Sequence, residues 1–233
     1  MFDISNARFA FLDIETTGLS PWFGDRICQI AVVITEGKRI KSTVDLLLNP
    51  ERELSPSAAH VNGLDESKLS ASPKFAEITD QLEALLKDAV IVCHNAKFDL
   101  QFLDNEYRKL DRTVEYPNLI DTLLLARDNF DLDSYSLQFL ADAFHVSKSP
   151  QESHAMADAL TAKNIFFAMM DALNPLVNRS TITSAFITRP PGPRKACTCR
   201  LNSAKPSTAD EGCSSNIWIR TARSRNAGSP PSK

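Results

Sequence analysis

The apolar run Phe9-Ala10-Phe11-Leu12 ends in Asp13-Ile14-Glu15, and few folds accommodate that combination. A run apolar on both faces belongs to a central strand of a covered sheet. Residues i and i+2 of a strand share a face, so Asp13 and Glu15 point side by side into one space where the strand leaves the core. Two like charges that close are unfavourable unless a cation or a shared proton lies between them. A divalent metal site is one reading. Acids facing solvent at a strand end is the other, and for D-x-E alone it carries the greater weight.

The rest of the chain supplies partners for this strand, read as Arg8 to Glu15. Ile27 to Ile34 and Thr43 to Leu48 read as two more strands, with Glu36-Gly37-Lys38 as a hairpin turn, so the chain opens as an antiparallel meander. Phe75, Ile78, Leu82, Leu85 and Leu86 recur at helical spacing, which predicts a helix over 73–86 with Ser72 as N-cap and Pro73 at its first position. A strand at Ala89–Cys93, a helix at about Lys97–Leu110 and a short strand at Leu119–Asp121 follow. Helices are expected over Thr122–Arg127, Ser136–Phe144 and Ala155–Leu173. A meander followed by strand–helix alternation implies an α/β fold, one mixed sheet covered by helices.

Composition changes sharply near Pro175. The first 174 residues hold 16 Lys and Arg against 27 Asp and Glu; the remainder hold 10 against 2, together with seven of the 13 prolines. Such a Pro- and Ser-rich basic segment does not offset its chain entropy by burial. The expectation is a folded domain over 1–174 and a largely disordered tail over 175–233, or a read-through end with no selected role. Five cysteines make no disulfide framework in a chain of 233 residues, and there is no secretory leader, so a cytoplasmic location is expected. Cys28 and Cys93 read as buried side chains. Cys197, Cys199 and Cys213 lack a fourth ligand and the usual metal spacing. No apolar stretch has bilayer-crossing length, and no membrane contact is expected.

Two further acidic signals open helices: Asp99 in H-N-A-K-F-D at 94–99, and Asp158 in S-H-A-M-A-D-A-L at 153–160. Taken singly, an Asp in a first helical turn reflects the macrodipole, and His with Asp on a helix reflects a polar face. Their order together with D-I-E-T-T-G-L at 13–19, I-D-T-L-L-L-A-R at 120–127, S-L-Q-F-L-A at 136–141 and H-A-M-A-D-A-L-T-A at 154–162 resembles the DEDD superfamily of 3′–5′ exonucleases. The likeness is to its histidine branch, which includes the proofreading epsilon subunits of bacterial DNA polymerase III, and it covers about residues 8 to 170.

The resemblance implies a ribonuclease H-like sheet and makes residues 1–174 an exonuclease domain. It makes Asp13, Glu15, Asp99 and Asp158 the ligands of two Mg²⁺ or Mn²⁺ ions and His154 the general base. Four carboxylates from three chain segments suit two hard cations, and a neutral imidazole near pH 7 can take a proton from water. It also places Thr16, Thr17, Gly18 and Leu19 at the 3′-terminal nucleotide, with Asn95 and Phe98 alongside. For Leu19 and Phe98 ordinary packing is an equal alternative. His94 reads as a structural hydrogen-bonding residue, and His60 as a loop residue or a nucleic-acid contact. The family pattern sets the base five residues before the last acid, whereas His154 stands four before Asp158 and Ser153 occupies the fifth place. Either His154 sits in the loop ahead of the helix, where 151–153 adjust its position, or activity is weakened; the expectation is that His154 still reaches the attacking water. The implied substrate is the single-stranded or frayed 3′ end of DNA, with DNA polymerase or a sliding clamp reached through the tail. An exoribonuclease, and a nucleic-acid-binding or assembly module with a decayed site, are the rival readings.

Overall fold

In a computed structural model of the chain, Phe9, Phe11 and Leu12 are almost wholly buried in the middle strand of a five-stranded sheet. The structure describes residues 2–54, 65–116, 118–147, 152–173 and 181–182, all within the unit Met1–Pro193. The strands are β1 (Phe2–Asp3), β2 (Arg8–Thr16), β3 (Ile27–Glu36), β4 (Arg39–Leu47), β5 (Val90–Cys93), β6 (Leu119–Asp121) and β7 (Thr181–Ile182). The main sheet runs β4-β3-β2-β5-β6, antiparallel from β4 to β2 and parallel from β2 to β6, while β1 pairs antiparallel with β7. This is the expected mixed sheet.

Alternation along β2 divides the core. Ala10, Leu12 and Ile14 join Ile30, Val32 and Ile34 on one face, beneath α2 (Phe75–Leu86) and α3 (Ala96–Lys109). Phe9, Phe11, Ala31 and Val33 form the other face, beneath α6 (His154–Leu173). There Phe9, Phe11, Phe166 and Phe167 interlock at centroid separations of 5.1 to 5.9 Å, in the tilted and edge-on geometries that aromatic quadrupoles favour. Asp13 and Glu15 belong by periodicity to this second face. The β3–β4 turn needs Gly37, since at its φ of 54° a Cβ would strike the Ser5 carbonyl oxygen.

Three local expectations give way. Helix α2 begins at Phe75, because the Pro73 carbonyl accepts the Asn49 amide at 2.9 Å and the Asn49–Lys74 bridge keeps the chain extended. Ser72 therefore does not cap it; its hydroxyl donates to the Lys68 carbonyl at 2.8 Å, closing a short helix α1 (Glu66–Ser70) that the pattern does not announce. Strand β4 begins at Arg39 rather than Thr43. Helices α4 (Thr122–Asn129) and α5 (Leu137–Ala143) fall close to their predicted places. Among the described residues no helix is long and apolar enough to cross a membrane. The 174/175 boundary, the tail cysteines and His60 lie outside the described residues.

Candidate active site

Strand β2 delivers its two acids where its pairing with β3 changes register. Asp13 lies opposite Ala31 and Glu15 opposite Gln29, and the ladder shifts between Glu15 and Thr16, an irregularity of the kind that re-aims side chains at strand ends. Past it, Gly18 lies so close to the Asp25 carboxylate that a Cβ would collide with it. Asp25 accepts the Ser20 amide at 3.0 Å and the Thr17 hydroxyl at 3.3 Å, and the Arg26 amide donates to Thr17 Oγ1 at 3.0 Å. Thr17 is fully buried and its hydroxyl is committed inside the turn. The Thr16 hydroxyl donates to the Gly18 carbonyl at 2.6 Å. Leu19 projects outward, 87% exposed.

Asp99 arrives from the other side of the sheet edge, 3% exposed in the first turn of α3. The organiser of that turn is Asp121, which sequence reasoning passed over although it quoted the I-D-T-L segment. Its carboxylate accepts the amides of Asn95 at 3.1 Å, Ala96 at 3.0 Å and Leu123 at 2.9 Å, so one side chain caps the starts of both α3 and α4. Asn95 takes the left-handed backbone, φ 64° and ψ 50°, that turns β5 into α3, a conformation Asn tolerates better than most residues. Asn95 is exposed, and Phe98 is half-buried against Phe102 at 5.0 Å. His94 Nδ1 stands 3.0 Å from Thr122 Oγ1, and burial holds its imidazole below the ordinary range while Asp121 pulls the other way. It ties β5 to α4.

The acids feel one another. Asp13 has a carboxyl enclosed by protein although part of the residue reaches the surface. Its pKa is raised well above the ordinary value by burial, then by Asp99, Asp158 and Glu15. Glu15 is pushed up to about 7 by burial and by Asp158. Asp99 is raised by burial, Asp121 and Glu15, against the opposing pull of the backbone amides of Asp99 and Ile14. Among the described residues neither Asp13, Glu15 nor Asp99 forms an ion pair with Lys or Arg.

The four acids come within electrostatic reach but do not close into a cage: among the described residues no three of His, Cys, Asp and Glu stand together as a ready-made metal site. The donor set nevertheless suits a hard divalent cation, being all oxygen and destabilised in its ionised form. An apolar crevice lined chiefly by Ile30, Val32, Val44, Leu46, Ile78 and Leu82 lies beneath α2, on the sheet face opposite to Asp13 and Glu15.

Both His154 and Asp158 are exposed on the first turns of α6. His154 is the first helical residue rather than part of the preceding loop, because the Ala157 amide bonds the Ser153 carbonyl at 2.8 Å and the Met156 amide bonds Ser153 Oγ at 3.2 Å. Ser153 is thus the helix cap. Four helical steps leave His154 about 40° round the axis from Asp158, on one side of the helix.

A β2 strand ending in paired acids, a third acid at the start of α3 and a fourth early in α6 define a nuclease-like site on this mixed sheet. Residues 10–166 match the family described as RNase_T, exonuclease; the chain belongs to that exonuclease family. It is 34% identical over 173 residues to the DNA polymerase III subunit epsilon of Rickettsia conorii, covering 72% of this chain and 75% of the relative. It is 36% identical over 170 residues to the PolC-type DNA polymerase III of Caldanaerobacter subterraneus subsp. tengcongensis, where the match spans 72% of this chain but 12% of the relative. Among solved structures, Exonuclease X in complex with 5′ overhanging duplex DNA superposes with a TM-score of 0.57 at 23% identity, covering 71% of this chain and 92% of that one. The nuclease domain of 3′hExo, a DEDDh family member bound to rAMP, gives 0.62 at 14% identity over 73% and 94%. At these identities the structural likeness speaks for the fold.

Proposed function

We propose that residues 1–174 are a metal-dependent 3′–5′ exonuclease domain that removes nucleotides from single-stranded or frayed 3′ ends of DNA. The observation that carries this reading is the placing of Asp13, Glu15, Asp99 and Asp158 within electrostatic reach, which together with burial raises the proton affinity of Asp13, Glu15 and Asp99 where no described Lys or Arg pairs with those three. Members of the family work with divalent metal ions, and we assign these four residues as ligands of two Mg²⁺ or Mn²⁺ ions. When bound, such ions acidify the attacking water and stabilise the leaving 3′-oxygen. His154, next to Asp158 on the solvent side of α6, takes the proton from that water. Gly18 and Leu19, with the Thr16 hydroxyl, hold the terminal nucleotide on a turn that buried Thr17 keeps rigid, and Asn95 and Phe98 flank it. The names of the epsilon relatives favour DNA and association with a polymerase, for which the tail over 175–233 is the candidate attachment to polymerase or clamp.

An exoribonuclease is the second reading, favoured by the likeness to 3′hExo bound to rAMP. The two differ in whether the site accepts a 2′-hydroxyl. One experiment tests both: digestion of 5′-labelled single-stranded DNA and RNA of the same sequence, with Mg²⁺ or EDTA at fixed salt. A ladder shortening from the 3′ end, faster on DNA and abolished by EDTA, is the expected result. Absence of Mg²⁺-dependent release from either strand overturns the assignment and leaves a binding or assembly module.

A further inference from the structure

We propose that Asp45 is a positioning residue for His154, acting through Ser153; this rests on His154 being the base. The carboxylate of Asp45 accepts the Ser153 hydroxyl at 2.6 Å across 108 residues of sequence, and the Gln29 side-chain amide at 2.7 Å. Ser153 in turn caps α6 through Met156 and Ala157. The register gives these bonds their meaning. Asp13, Ala31 and Asp45 form one row across β2, β3 and β4, and Gln29 lies directly opposite Glu15. Neighbours in such a row project from the same face, so the grip on Ser153 fixes the start of α6 in the frame that carries the two strand acids. His154 is the next residue after Ser153, and any slip of the cap moves its imidazole directly.

The arrangement also gives a physical account of the four-residue spacing. Ser153 occupies the place five before Asp158, and a hydroxyl there both donates to Asp45 and accepts from the helix. Ser153 both reaches the sheet and starts the helix, so its side chain is spent on anchoring, and the imidazole follows one residue later. Gln29, 2% exposed, turns its amide nitrogen to Asp45, and its carbonyl oxygen has no protein partner among the described residues.

The test uses the full chain, Mg²⁺ and a single-stranded DNA oligonucleotide, with kcat and KM measured for D45A, S153D, S153T, H154A and the double variant D45A/H154A. Asp at 153 still caps the helix but cannot donate and repels Asp45, whereas Thr keeps both functions. Expected are a loss of about tenfold in kcat for D45A and S153D, KM within about twofold, and near wild-type rates for S153T, since small displacements of a reacting group lower kcat without altering binding. In the H154A background D45A causes no further loss, the signature of two residues acting as one unit. An undiminished kcat in D45A, or equal losses in both backgrounds while H154A itself is damaging, overturns this proposal alone. A harmless H154A beside an inactive D13A overturns the base assignment and the proposal with it. Should D45A fail to fold, S153D against S153T decides: equal rates overturn the idea, and a slow S153D with the wild-type melting midpoint supports it.

Discussion

Asp99 and Glu106 are buried carboxylates seven residues apart on the same helix, 3% and 2% exposed, yet their surroundings are opposite. Glu106 meets the Arg26 guanidinium in a two-point pair at 2.6 and 2.7 Å, and Glu106 raises the proton affinity of Arg26 further. Asp99 meets Asp121 and Glu15 instead, and these with burial raise its carboxyl well above the ordinary value. One end of α3 carries its own counter-ion. The other has no Lys or Arg in ion-pair reach among the described residues, and under the proposed function that difference separates a residue that holds the fold from one kept for chemistry.

The sharpest way to break this contrast is to neutralise each end. Replacing Asp13 or Asp99 by Asn should lower Mg²⁺-dependent cleavage by at least about 10³-fold, the scale of several kcal/mol of lost transition-state stabilisation, while the metal-free melting midpoint at pH 8 stays level or rises. A drop in stability instead would make Asp99 a structural acid like Glu106. Replacing Glu106 by Ala should cost about 3 kcal/mol in denaturant unfolding, because Arg26 loses its two-point partner and keeps only the looser contact to Glu51 at 3.8 Å, with kcat changed far less than by the Asp99 substitution.

Proton linkage sharpens the comparison. Carboxyls whose folded pKa lies above the unfolded value favour the folded state fully below the unfolded pKa, and that contribution disappears as pH rises through the folded one. For Glu15 the window runs from 4.5 to about 7, and Asp13 and Asp99 shift in the same direction. Metal-free protein should therefore melt lower at pH 8 than at pH 5. Adding Mg²⁺ should restore about 4 °C at pH 8 and little at pH 5, as measured by calorimetry. Equal midpoints in the two buffers would remove the electrostatic basis of the site. The smallest effect concerns the basic tail: if the counter-charge comes from a metal rather than from residues 175–233, their deletion should leave cleavage of a short oligonucleotide within about twofold.

The sheet was readable from Phe9-Ala10-Phe11-Leu12 and the other apolar runs because burial on both faces leaves a compositional mark, and the paired acids stood out against it. Asp99 and Asp158 needed the resemblance, since an acid at a helix start has local reasons to be there. Asp121 went unread because its work is to receive backbone amides from segments about 25 residues apart, which leaves no periodic trace. The same holds for Ser72 and Ser153: a serine advertises a cap, but whether its hydroxyl goes to Lys68 or Asp45 depends on what tertiary packing brings near. Pro73 misled for a similar reason, its preference for a helix start yielding to the isolated bridge that Asn49, past the end of β4, makes with Lys74 and to the bond from the Asn49 amide to the Pro73 carbonyl.

Strand β4 forms one rim of the main sheet and carries Arg39, Lys41 and Asp45 along it. The outward-facing peptide groups of such a border strand, unpaired in the main sheet among the described residues, are a template on which a foreign strand can grow, and charged side chains along the border deter that templating. The border that we propose steadies His154 thus carries, in Arg39, Lys41 and Asp45, side chains of the kind that discourage fibrous self-association.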